Sequence, residues 1–195
     1  MLNPEYLIVV VPDGLRFGKE KKGYLTNSYR NVLKNAFNFS LKNNFRILLL
    51  PANSFGGDKT EEELGRDYLI KKGLNSHYII IGRKRKNTYL DTYDNFNEVL
   101  KNEGEILKER FIVSEHLRKG KYKLFVNKIH YKRTLKVINI LNLSTPQEIF
   151  TFVAKETRNL PIRLIYYKFP KIHRIYELIA ILYLIINNFF RISKV

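Results

Sequence analysis

Five short apolar runs separated by stretches of helical periodicity constrain this chain more than any other feature. The first three are Tyr6 to Val11 (YLIVVV), Arg46 to Leu50 (RILLL) and His77 to Ile81 (HYIII). Each is too short for a helix, apolar on both alternating faces, and closed by turn chemistry such as Pro12-Asp13-Gly14 or Pro51. Asn27 to Asn44 places Tyr29, Val32, Leu33, Ala36, Phe37, Phe39 and Leu41 mostly at helical spacing, after a cap at Thr26 or Asn27. Thr60-Glu-Glu-Glu63 has the form of a capping box, and Gly73 stops the helix it starts. A helix is expected from Thr92 to about Lys108, a fourth strand over Lys121 to Asn127, a helix over His130 to Leu141 and a fifth strand over Ile149 to Ala154. The stretch from Arg110 to Gly120 reads equally as a strand through Phe111 to Val113 or as a helix extension.

Strands buried on both faces and joined through helices imply parallel pairing. The fold class expected is therefore α/β: a Rossmann-like parallel sheet of about five strands with helices on both faces, in one domain over residues 1–195. Right-handed crossovers bring the loops that follow the strands to one edge, where open sheets of this kind bind ligands. Functional residues are to be sought after Val11, Leu50, Ile81 and Asn127.

Composition narrows the chemistry. At 45% hydrophobic residues the chain can build a core, and its zero cysteines exclude thiolate metal sites, disulfides and a thiol nucleophile. Four histidines argue against a dense imidazole metal cluster, and no metal site is expected. The N-terminal run has no basic region ahead of it and no small-residue cleavage site, so a cytoplasmic location is expected.

Charge is unevenly placed. The formal net charge is +17; from His116 to Val195 there are 16 Lys or Arg against three acids (Glu148, Glu156, Glu177), hence +13. Such an excess attracts phosphates on small ligands, anionic lipid or nucleic acid, and equally fits a compositional bias toward Lys, Asn and Ile. Near the end, Leu178 to Ile186 is uninterrupted apolar sequence but too short to span a bilayer, which takes about 20 residues. With Arg174, Glu177, Asn188 and Arg191 on a narrow polar face, the helix over about 174–192 must be covered by the domain, by another subunit or by lipid headgroups. A peripheral attachment to an anionic membrane surface is the expectation in the last case.

Three constellations can carry chemistry. Asn53-Ser54-Phe-Gly56-Gly57 precedes a helix start at Thr60-Glu61, where glycines and free N–H groups suit an anion; it lacks the spacing of a dinucleotide fingerprint or a P-loop. Thr92-Tyr-Asp-Asn95, after the basic run Arg83 to Lys86, places two polar groups on one face of a helix's first turn. His130-Tyr-Lys-Arg133-Thr134 opens a helix after the fourth strand, pairing a proton-transfer group with a guanidinium suited to phosphate or carboxylate. Taken singly, each is also an ordinary turn, cap or solvated helix start. Their positions after successive strands make them converge.

That order resembles the YdcF-like proteins, which include SanA and ElyC. The residues carrying the resemblance are Tyr6 to Val11, Arg30, Asn53-Ser-Phe-Gly-Gly57, Thr60-Glu61 with Tyr68-Leu69 and Gly73, Thr92-Tyr-Asp-Asn95, Val126-Asn-Lys-Ile-His130-Tyr-Lys-Arg133-Thr134 and Tyr176-Glu-Leu-Ile-Ala180. They are spread over essentially the whole chain. Three positions depart from the family pattern: Pro12-Asp13-Gly14 replaces its glycine-rich first turn, Asp94 stands for a Glu, and Asn127 for a Ser. The stretch before His130 also looks lengthened by an insertion around 110–120. The resemblance implies a Rossmann-like domain with a polar pocket at the strand ends. It also implies links to the cell envelope and lipid carriers, and S-adenosylmethionine as a cofactor of at least one relative.

The function expected is binding of a small anionic ligand, either a nucleotide-like cofactor such as S-adenosylmethionine or a phosphorylated or polyprenyl-phosphate metabolite. Any catalysis would be phosphoryl or pyrophosphate chemistry. His130, Arg133 and Glu61 are the candidate catalytic residues. Asp13, Gly14, Arg30, Ser54, Gly56, Gly57, Thr60, Thr92, Asn95 and Asn127 are the candidate ligand-binding residues. The alternative is a basic membrane-surface protein without catalysis. Nucleic acid ranks third, because no recognisable nucleic-acid module is present.

Overall fold

The computed structural model describes residues 6–17, 23–52, 59–81, 92–101, 113–153 and 169–192. Its centre is β1 (Leu7–Val10), hydrogen-bonded in parallel to β4 (Arg46–Leu49) on one side and β6 (Tyr122–Asn127) on the other. The register sets Val10 beside Leu49 and Phe125. β5 (Ile79–Ile81) and β7 (Glu148–Phe152) complete a five-stranded, all-parallel sheet in the order β5-β4-β1-β6-β7.

Alternating residues of the same strands feed two cores. Leu7, Val9, Leu48 and Leu124 face one way, packing with Phe96 and Val99 of α3 (Thr92–Lys101), Leu117 of α4 (Val113–Arg118) and Val137 of α5 (Tyr131–Ile140). Ile8, Val10, Ile47, Leu49 and Phe125 face the other way, against Tyr29, Val32 and Leu33 of α1 (Asn27–Asn43) and Leu69 of α2 (Glu61–Lys71). That two-sided burial is what the unbroken apolar runs require. The α/β expectation holds, with helices on both faces of a parallel sheet.

Local chemistry sets the element ends. Thr26 caps α1, its side chain accepting the Tyr29 N–H; at α2 the Thr60 side chain accepts from Glu63 while the Glu63 carboxylate accepts the Thr60 N–H. Gly73 follows α2 with a φ of 97°, a left-handed conformation that suits glycine.

Several expectations are revised. His77 and Tyr78 belong to a 3-10 turn (Ser76–Tyr78), so β5 begins at Ile79. The ambiguous stretch contains α4, a helix, from Val113; residues 102–112 lie outside the described residues. A two-stranded antiparallel unit, β2 (Leu15–Phe17) with β3 (Gly23–Leu25), stands between β1 and α1 and was not anticipated. Lys123 in β6 is buried because its ammonium pairs with Glu148, its register partner in β7.

The last helix, α6 (Pro170–Ile192), is longer than expected at its start, and its polar residues do not form one solvent face. Glu177 and His173 turn inward and are buried, whereas Ile172, Ile175, Leu178, Ile179, Leu182 and Tyr183 are exposed.

Candidate functional site

A reversal of strand order defines the site. From β1 the chain crosses to β4 and β5 on one side, then returns to β6 and β7 on the other, so β1 and β6 flank the switch point of the sheet. Crossovers diverge there and leave a crevice at the carboxyl ends of the two strands. Asp13 stands just beyond β1; Asn127 ends β6 and His130 follows it.

Asp13 is held in the turn after β1, where Gly14 has a φ of 86° and Thr26 donates its hydroxyl to the Asp13 carbonyl. Asn127 uses its amide fully. Its Oδ1 accepts the Ile129 N–H and shapes the turn after β6, and its Nδ2 donates to Asp13 Oδ2 at 2.8 Å and to Ser28 Oγ at 2.7 Å. His130 caps α5 and is fixed from behind, as Thr134 donates both its N–H and its hydroxyl to the His130 carbonyl.

The imidazole of His130 lies between two carboxylates: Nε2 is 2.8 Å from Asp13 Oδ1 and Nδ1 is 2.9 Å from Glu177 Oε1. Arg133, one turn further along α5, places Nε 3.2 Å from Glu177 Oε2 and Nη2 3.0 Å from His130 Nδ1. Nδ1 cannot donate to Glu177 and accept from Arg133 at once. Burial disfavours the charged ring, but the hydrogen bonds to Asp13 and Glu177 and their charges outweigh it, raising the His130 pKa to about 9. The ring is therefore an imidazolium donating to both acids at neutral pH. Burial likewise acts to raise the pKa of Asp13 and of Glu177, and the bonds and charge of His130 overcome it, so both are held below the ordinary carboxylate range.

Two further acids behave oppositely. Glu61 accepts the Gly14 N–H at 2.7 Å and Glu62 accepts the Ala52 N–H at 2.8 Å, so the first turn of α2 clasps the loops after β1 and β4. Burial raises Glu61 to about 8 despite the Gly14 bond, with the Glu62 and Asp13 charges adding to it; burial raises Glu62 to about 7. Two ionised acids then balance two bases, with Glu61 largely neutral and Glu62 only partly ionised beside them at pH 7.

His173 lies on α6 one turn before Glu177, with Nε2 3.7 Å from Glu177 Oε1 and its ring edge-on to His130 at 5.3 Å. Burial and the His130 charge lower its pKa to about 4, leaving it neutral. His130, His173 and Glu177 offer donor atoms within 4.8 Å of one another, which is metal-ligand spacing. A cation there would have to displace the proton on His130 Nδ1 and stand beside the Arg133 guanidinium. The arrangement suits an ion-pair network better than a metal centre.

Of the residues singled out from sequence, Asp13, Gly14, Glu61, Asn127, His130 and Arg133 are brought together. Thr92 and Asn95 are buried in the first turn of α3, on the same face of the sheet as α5. Thr60 serves as the α2 cap, and Arg30 is exposed on α1. Ser54, Gly56 and Gly57 lie outside the described residues. Sequence reasoning left Ser28, Glu62, His173 and Glu177 out of the site. A usable signal existed for Glu177, the one acid of an otherwise apolar and basic helix, since a carboxylate buried on such a helix requires cationic partners. Comparisons of the chain with protein-family models, curated proteins and solved structures find no match.

Proposed function

We propose that the crevice between β1 and β6 binds the anionic group of a small ligand, the phosphate of a phosphorylated metabolite or the carboxylate of a nucleoside cofactor such as S-adenosylmethionine, and that the chain is a member of the YdcF-like proteins. The observation that supports this best is the His130–Arg133 pair at the switch point of the sheet. An imidazolium and a guanidinium converge there on one carboxylate, Glu177, the geometry that holds a carboxylate or a phosphate oxygen. Because Glu61 and Glu62 lean toward their neutral forms, the surrounding acids oppose an arriving anion less than their number suggests.

Asp13 acts as a positioning residue: its carboxylate fixes the ring of His130 and keeps it protonated. Where an arriving phosphate displaces Glu177 from Nδ1, the protonated His130 can donate that proton to a leaving oxygen, and the fork of Arg133 can hold the phosphoryl oxygens. The test is a thermal-shift series with inorganic phosphate, pyrophosphate, nucleotides and S-adenosylmethionine, alongside native mass spectrometry for a co-purifying ligand. Stabilisation by a member of this set, lost in Arg133→Lys, is the expected result. A folded protein stabilised by none of them, or equally stabilised in Arg133→Lys, overturns the proposal.

A further inference from the structure

Helix α6 presents two chemically opposite sides. Its buried side is a narrow strip, His173, Glu177 and Leu184, that reaches the ion-pair network and the core. Its outer side exposes Ile172, Ile175, Leu178, Ile179, Leu182, Tyr183, Ile185 and Ile186, each between 42% and 61% accessible. A run of this kind over residues 172–186, about 22 Å of helix, far exceeds the scattered apolar exposure normal at a protein surface.

Charge decides what fits this face. The charged residues exposed at its start are Lys171 and Arg174, and α6 contains no acid except Glu177, which is buried. The neighbouring α5 adds Lys132 and Lys136 and contains no acid at all. A second copy of this chain would bring another +17 toward the same place, whereas a surface of anionic lipid headgroups is attracted by that charge. No helix among the described residues is long and apolar enough to cross a membrane, which leaves an in-plane seat.

We propose that the outer face of α6 docks the protein on an anionic lipid bilayer, apolar side chains entering the headgroup boundary while Lys171, Arg174, Lys132 and Lys136 engage lipid phosphates. The docking face and the ion-pair network occupy opposite sides of one helix, so either reading stands without the other. The full chain is tested by co-sedimentation with phosphatidylglycerol/phosphatidylcholine vesicles and with phosphatidylcholine alone, and its mass in solution is measured by light scattering. Binding to the anionic vesicles is expected, much weaker on the neutral ones. It should fall steeply as salt shortens the screening length from about 10 Å at 0.1 M toward about 3 Å at 1 M.

Leu178→Glu with Leu182→Glu, both exposed and outside the core, should weaken partitioning by at least about tenfold without changing the thermal transition. Lys171→Glu with Arg174→Glu should weaken it while leaving the apolar face intact. Three outcomes overturn the proposal: no binding of the folded protein to anionic vesicles, binding unchanged in the leucine variant, or a dimer that the leucine variant dissociates. The last would show that a second copy covers the face.

Discussion

His130 shows how far a residue's environment reaches beyond its local motif. Read from sequence it pairs with Arg133 at a helix start. In the fold its two nitrogens are bound by Asp13 and Glu177, 117 and 47 residues away in the chain. Removing the ring strands two buried carboxylates, and breaking a buried ion pair in this way costs roughly 3–5 kcal/mol. His130→Ala is thus expected to lower unfolding free energy by an amount in that range, measured by urea denaturation near neutral pH. Glu61 gives the opposite case. Its carboxyl is already held toward neutrality and serves as an acceptor for the Gly14 N–H, a role a glutamine carbonyl also fills. The difference in stability between Glu61→Gln and the parent should grow in favour of the variant as pH rises from about 4.5 to about 8, where only the unfolded parent releases the proton, and level off above that; a difference that stays constant over this range would contradict the raised pKa.

At the scale of elements, caps and turns behave as their sequences suggest. The capping box at Thr60 and Glu63 predicts that Thr60→Ala costs about 1 kcal/mol, readable as a lower denaturation midpoint at unchanged slope. Gly120, between α4 and β6, is a position no substitution suits: its φ is 68°, and an added Cβ would lie 2.9 Å from the Thr145 carbonyl oxygen. Gly120→Ala should destabilise by about 1–3 kcal/mol, checked by the same denaturation measurement. The β2–β3 pair escaped sequence reading because three-residue strands carry too little alternation to register as a period. Helix α6 was legible as a helix, but its exposed and buried sides were not, since hydrophobicity alone would have turned the other face inward.

For the whole molecule, the shifted groups set a pH dependence. Folded His130 keeps a proton between its ordinary 6.5 and about 9 that the unfolded chain releases; Glu61 and Glu62 do the same from the ordinary 4.5 up to about 8 and about 7. Where the native state binds more protons, stability falls as pH rises. His173, lowered to about 4, acts on the acid side, costing stability as pH falls below 6.5, with Asp13 and Glu177 adding to the loss further down. Stability is expected to decline by roughly 3 kcal/mol or more between pH 6.5 and 9, with a shallower decline in Glu61→Gln. A flat profile across that range in a two-state melt would contradict the buried imidazolium.

The strand and helix alternation, the parallel sheet and the caps at Thr26 and Thr60 are determined by the sequence itself, because periodicity and capping are settled among residues a few positions apart. The meeting of Asp13, Asn127, His130 and Glu177 is decided by tertiary structure. It depends on β1 lying beside β6 at the reversal of the sheet and on α6 packing against α5. The orientation of α6 has the same origin. Turning Glu177 inward pairs its charge with those of His130 and Arg133, and the apolar face is left outside as the consequence.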